Sequence, residues 1–279
     1  MKKILIYVLV LALSVSVLAA CGQKPSGGDE NGGENGNGED VITLKIGVSP
    51  DPHGKIVGIV KEDLLAEGIE IDIIEFTDYV IPNTALEDGD LDANYFQHIP
   101  YLENFNIERG TNLVHIGGVH VEPMAVYSDS LKSIDELKDG AEVSIPSDAV
   151  NGGRALLLLQ SNGLIKLKDD AGLSATEKDI VENPKNLKFT PLEAVLLPST
   201  LDDVDIAVIN GNYALEAGLN PLKDGLLVEG GDSPYLNIVA VKKGTENEEK
   251  FAKLIKALQS EKVKNFIIEE YDGAVVPGF

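Results

Sequence analysis

The chain has one cysteine, Cys21, in 279 residues. The folded part therefore holds no internal disulfide, no thiolate metal centre and no thiol nucleophile. An exported domain of this size manages without disulfides because its core is large. Apolar runs long enough to span a bilayer are also missing beyond the first 20 residues. Positive charge is scarce: 23 Lys and Arg stand against 46 Asp and Glu, a formal net charge of −23. That balance excludes nucleic acid and an anionic membrane surface as partners. It leaves a small anionic ligand open, since local donors rather than net charge govern a small pocket. No G-x-S-x-G, H-E-x-x-H or phosphate-loop pattern occurs, so nothing in the chain asks for an enzyme or a cofactor.

The amino terminus is built for export. Lys2 and Lys3 precede an apolar stretch, Ile4 to Leu18, which is shorter than the roughly 20 residues of a membrane span. It ends in Leu18-Ala19-Ala20-Cys21, small residues before a cysteine, the pattern of a bacterial lipobox. Residues 1–20 are read as a lipoprotein signal and Cys21 as the acylated new terminus. Residues 21–42 are dominated by Gly, Asn, Glu and Asp, which bury too little surface to offset chain entropy, and are expected to form a disordered tether. The expected location is the extracytoplasmic face of the cell membrane, held through the lipid alone.

From Thr43 onward, short β-branched runs alternate with helical patterns. Strands are expected at 44–48, 69–76, 113–119, 125–127, 142–145, 187–189, 204–209 and 236–241. Helices are expected at 56–65, 151–161, 179–183 and from 246 to about 271. This alternation indicates an α/β fold with largely parallel sheets. The length favours two lobes. The expected division is 43–126 for lobe 1, 127–234 for lobe 2 and 235–279 as a final segment. The alternation in Ile69–Ile74 marks an edge strand or one with a polar flank.

The stretch from Phe76 to Leu102, FTDYVIPNTALEDGDLDANYFQHIPYL, concentrates aromatics with Asn94, Gln97 and His98 between Pro82 and Pro100. Aromatic walls with a few polar tips suit a small-ligand pocket, and equally a turn-rich loop packed over a core. In the second lobe, Pro146-Ser147-Asp148 leads into Asn151-Gly152-Gly153-Arg154 and an apolar helix. Asp148 or Asn151 can cap that helix, and its amino terminus favours an anion. Asn151 and the planar fork of Arg154 could then bind a ligand carboxylate, though a surface ion pair fits Arg154 as well. Asn210 ends an apolar strand, where open α/β sheets place ligands, and it also begins an Asn-Gly turn.

FTDY, PN-x-AL, the run Leu91-Asp-Ala-Asn-Tyr-Phe-Gln-His98 with Pro100-Tyr-Leu102, GRAL, VIN and YLN resemble the methionine-binding lipoprotein family (MetQ/NlpA) over nearly all the chain after residue 43. The resemblance implies a two-lobed periplasmic-binding-protein-like fold of type II, with ligand in the inter-lobe cleft and residues 235–279 returning to complete lobe 1. It implies a solute-binding protein that captures methionine or a close relative for an ABC permease and its ATPase. Arg154 matches the carboxylate-binding arginine, and Tyr79, Phe96, His98 and Tyr101 match the lining of the side-chain pocket. Glu122 also matches, without an assigned contact. Ser147 and Val150 depart from the family pattern beside the carboxylate site, which keeps L-methionine, D-methionine and methionine dipeptides all in view.

Three rivals are weighed against this. A metal-binding transport lipoprotein would draw on His53, His98, His115 and His120, but the spacing of His115 and His120 sends them to opposite strand faces. An extracytoplasmic enzyme lacks a motif. An adhesive scaffold needs no pocket residues.

Overall fold

The computed structural model describes residues 41–230 and 233–279. The export signal, Cys21 and nearly all of the tether lie outside the described residues. The strands are β1 (Ile42–Val48), β2 (Ile69–Glu75), β3 (Ala93–His98), β4 (Leu113–Val121), β5 (Ala125–Tyr127), β6 (Glu142–Pro146), β7 (Lys166–Leu167), β8 (Ile180–Glu182), β9 (Lys188–Leu192), β10 (Ile206–Ile209), β11 (Leu227–Val228), β12 (Leu236–Lys242) and β13 (Val276–Pro277). The helices are α1 (Lys55–Ala66), α2 (Ile81–Asp88), α3 (Ile99–Arg109), α4 (Ala149–Ser161), α5 (Gly211–Glu216), α6 (Pro221–Asp224), α7 (Glu249–Leu258) and α8 (Glu261–Tyr271).

Two sheets, each with its own core, form two lobes. The first runs β13-β4-β12-β3-β1-β2, the second β11-β5-β10-β6-β9, and β7-β8 make a small ribbon. The chain leaves the first sheet after Val121 and joins the second at Ala125. It returns to the first sheet at Leu236. Ile56, Val57, Val60 and Leu64 of α1 and Phe251, Leu254 and Leu258 of α7 recur at three- and four-residue spacing, and all are buried with Leu44, Ile46 and Val239. Each such side chain withdraws apolar surface worth about 1.5–3 kcal/mol. In the second lobe, Leu156 and Leu159 of α4 pack with Val143, Ile145, Ile206 and Val208. β2 sits at an edge and alternates buried with exposed along its first four residues.

Several expectations are corrected. The sheets are mixed rather than largely parallel: β1 pairs parallel with β2 and β3, but β12 runs antiparallel to both β3 and β4. In the second sheet β6 pairs parallel with β9 and β10, and β5 pairs antiparallel with β10 and β11. Residues 179–183 do not form a helix. Asp179 ends a 3₁₀ turn that starts at Glu177, and the chain then enters β8, where Ile180 pairs with Leu167. The helix expected over 246–271 is two helices, because Ser260 accepts from the Val263 N–H and caps α8. Strand β1 begins at Ile42, inside the expected tether, since Ile42 already pairs with Ile69.

The stretch 76–102 is regular rather than loop-like. Pro82 and Pro100 stand in the first turns of α2 and α3, where a missing N–H costs nothing. Between those helices, β3 is buried at all six positions.

Candidate functional site

Between the two sheets lies a narrow cleft, closed down nearly to the size of a water molecule. Tyr79, Phe96, His98, Tyr101, Asn151, Arg154 and Asn210 all line it, together with Gln97, Glu122, Gly211, Asn212 and Asn237. Its aromatic end comes from the first lobe. Tyr79, Phe96 and Tyr101 stand 5.8–6.2 Å apart between ring centroids, in tilted and edge-on arrangements. Phe96 occupies a bulge: β12 residues Ile238 and Val239 pair with Gln97 and Tyr95, which leaves Phe96 as the extra residue. Bulges re-aim side chains in this way beside binding sites. Tyr101 donates to the Tyr79 carbonyl at 3.0 Å, fixing the two rings together.

His98 caps α3. Its Nδ1 accepts from the Tyr101 N–H and its Nε2 faces Asn151 Oδ1 at 3.2 Å. Burial, reinforced by the nearby Arg154 charge, holds it down to about 3, so it is a neutral donor through Nε2. Asn94 and Gln97, read as possible ligand grips, are largely committed elsewhere. They share four amide hydrogen bonds of 2.7–2.9 Å with each other and with Asn83, tying α2 to β3.

The polar end comes mainly from the second lobe, and here too the structure revises the local reading. Asp148 caps α4 by accepting from the Asn151 N–H at 2.8 Å, so the helix amino terminus is already filled by a carboxylate. Asn151 donates to Asp148 and accepts from His98 and Asn210. It therefore acts as a joint rather than a free ligand. Gly152 and Gly153 admit protein backbone: a Cβ would stand 2.8 Å from the Pro146 carbonyl oxygen and 2.2 Å from that of Leu173, respectively. Ser147 is exposed and Val150 buried, and neither lines the cleft.

Arg154 is in the second turn of α4 and only 4% exposed. It does form an ion pair, but a buried one. Nε and Nη2 donate to Glu229 at 2.9 and 2.5 Å, Nη2 also donates to the Glu122 carbonyl, and the guanidinium lies 4.1 Å over the Tyr235 ring. Among the described residues no partner stands against Nη1. Two buried atoms of the cleft have no partner at hydrogen-bond distance, Asn210 Oδ1 and Asn212 Nδ2, the latter with the Glu216 carboxylate nearby. An unpaired acceptor and an unpaired donor in one buried cleft are costly unless a ligand satisfies them.

The cleft is bridged directly. Tyr79 donates to Asn212 Oδ1 at 2.5 Å, and Tyr213 donates to the Thr77 carbonyl at 3.0 Å. Sequence reasoning did not single out Asn212, Tyr213, Glu229 or Asn237. Asn212 is two residues from Asn210 and was within reach of the same argument, whereas Glu229 is 75 residues from Arg154.

One cluster gathers behind the cleft. His53, His120 and Glu122 are buried with their ligand-type atoms within 4.8 Å of one another. Of the four histidines considered for metal, His98 is held apart by Asn151 and His115 is exposed, but His53 and His120 do meet. Burial pushes Glu122 up and both histidines down, to about 4 for His53 and about 3 for His120. Among the described residues no helix is long and apolar enough to cross a membrane.

The NlpA lipoprotein family profile matches residues 44–279. The D-methionine-binding lipoprotein MetQ of Escherichia coli K12 is 48% identical over 244 residues, covering 86% of this chain and 90% of the relative. The MetQ of Salmonella typhimurium is 44% identical over 265 residues, 94% of this chain and 93% of its own. A nutrient-binding protein from Burkholderia cenocepacia, solved bound to methionine, superimposes with a TM-score of 0.83 at 45% identity, over 85% of this chain and all of that one. With the match spanning both lobes and every residue of the cleft, the chain belongs to the NlpA lipoprotein family.

Proposed function

We propose that this protein is the solute-binding component of an ABC importer and that it closes its two lobes around methionine or a close relative. The observation that carries the reading is the pair of unsatisfied atoms, Asn210 Oδ1 and Asn212 Nδ2, beside Arg154 and across from the aromatic box. An α-amino acid supplies what they lack. Its carboxylate would take Arg154 Nη1 and Asn212 Nδ2. Its ammonium would be received by Asn210 Oδ1 and the Glu122 carboxylate. Tyr79, Phe96 and Tyr101 would surround the side chain, and a thioether suits aromatic edges by about 0.3–1.5 kcal/mol. His98 and Asn151 hold these groups in register. Binding is non-covalent and no reaction is performed.

In this reading lobe 1 comprises 43–126 with 235–279, and lobe 2 comprises 127–234. Cys21 carries the lipid, the domain works on the extracytoplasmic face, and the loaded form delivers to a permease driven by a cytoplasmic ATPase. The methionine named for the relatives is the ligand carried over. Because Ser147 and Val150 stand outside the cleft lining, their departure from the family pattern does not argue against it.

A thermal-shift screen of residues 41–279, unfolded and refolded to strip carried ligand, tests this with L-methionine, D-methionine, methionine dipeptides, other amino acids and zinc. Ligand at a hundred times its Kd should stabilise by about 2.7 kcal/mol, several degrees in Tm. Zinc is in the panel because of the His53–His120–Glu122 cluster. A response to zinc and to no amino acid or dipeptide would replace this reading with a metal receptor.

A further inference from the structure

We infer that His53 and His120 are positioning residues: they hold the Glu122 carboxylate, as an anion, at the wall of the cleft for the ligand ammonium. This rests on the reading of the cleft as an amino-acid site. Glu122 is the first residue of the crossover from β4 to the second sheet, and it touches both lobes. Its Oε1 stands 2.7 Å from His120 Nε2 and 3.3 Å from His53 Nε2. Its carbonyl oxygen accepts from Arg154. The Asn212 N–H also faces its carboxylate.

The partners determine the tautomers. With Glu122 ionised its oxygen only accepts, so Nε2 of His120 would carry the proton and its Nδ1 would accept from the Tyr95 hydroxyl. Nε2 of His53 faces two acceptors, Glu122 Oε1 and Asn237 Oδ1 at 3.0 Å, so it carries a proton as well. His120 Nε2 thus hydrogen-bonds one oxygen of a carboxylate that is 6% exposed, and the His53 ring, bonded to Asn237, packs 3.3 Å from the same oxygen. The His120 donor opposes the burial that pushes Glu122 up, and it locks the orientation of the carboxylate.

The same geometry argues against a metal. The His120–Glu122 separation of 2.7 Å is a hydrogen-bond spacing. Two ligands of a tetrahedral ion at about 2.1 Å would stand about 3.4 Å apart.

The experiment compares affinity for methionine with affinity for its deaminated analogue, which keeps thioether and carboxylate but has no ammonium. Glu122→Gln should lower methionine affinity at least about tenfold and leave the analogue nearly unchanged. His120→Ala should do the same to a smaller extent, and His120→Gln, which restores an N–H donor, should recover part of the loss. Tyr95→Phe keeps the ring, removes only the hydroxyl against Nδ1, and carries the test should His120→Ala fail to fold. If Glu122→Gln collapses the preference for the ammonium while the folded His120 and Tyr95 variants leave it intact, the histidines are structural and the inference fails, with the binding reading standing. If Glu122→Gln itself leaves the preference intact, the ammonium assignment falls and the inference with it. One equivalent of divalent metal in freshly purified protein would also overturn it.

Discussion

Replacing Arg154 with alanine separates what this residue does for the fold from what it does for the ligand. The substitution deletes three donor contacts, two to Glu229 and one to the Glu122 carbonyl, and the stack on Tyr235. It leaves Glu229, 15% exposed, without its cation. Breaking a fully buried pair costs about 3–5 kcal/mol. Glu229 can turn partly to water, so the expected loss of stability is lower, about 2–3 kcal/mol. Binding should lose a further charge-assisted hydrogen bond, about 1.5–3 kcal/mol, which is roughly 10- to 150-fold in Kd. Urea unfolding reads the first quantity and isothermal titration with methionine the second. Adding Glu229→Gln to Arg154→Ala removes the stranded charge, so stability should largely return while affinity should not. A folded Arg154→Ala protein that binds within about twofold of the original would remove Arg154 from the carboxylate site. A double variant that regained affinity would show that the arginine serves only to neutralise Glu229.

Two more expectations follow from the closed cleft. Tyr213→Phe deletes the bond to the Thr77 carbonyl and keeps the ring 5.0 Å from Tyr79. It should weaken binding by about 0.5–1.5 kcal/mol, chiefly as faster release in stopped-flow, and an unchanged dissociation rate would show the bond is not tied to closure. The second concerns pH: His98 is held at about 3 in the fold against an ordinary 6.5, so between these values the unfolded chain binds the proton that the native state refuses. Its contribution to ligand-free stability is complete above about pH 6.5 and should fall by up to about 1.4 kcal/mol per pH unit as pH drops toward 3. Urea titrations across that window should show this component lost in His98→Gln, and an unaltered slope would contradict it.

Much of the site could be read along the chain because its residues sit in short local motifs. Arg154 lies on the apolar helix that its neighbours predict, Asn210 ends a β-branched strand, and the aromatics fall within one stretch of 27 residues. Strand β3 escaped because it lies between β12 and β1, buried at every position, and so shows no alternation to detect. The 179–183 error arose where five residues fit either period, and pairing with β7 decided the outcome.

Local chemistry along the sequence determined the export pattern, the α/β alternation, the helix caps and the residue types able to hold an amino acid. Tertiary structure decided which of those residues remain available. It spent Asp148 on the α4 cap, Asn151 on a three-way joint and two Arg154 nitrogens on Glu229, and it left Asn210 Oδ1 and Asn212 Nδ2 without partners. It also brought His53 against His120 and Glu122, which lie two residues apart in another segment. The physical reason is that hydrogen-bond satisfaction in a buried cleft depends on partners tens of residues away. Residue type and spacing indicate what a side chain can do, and only the packed lobes determine which of its bonds are already made.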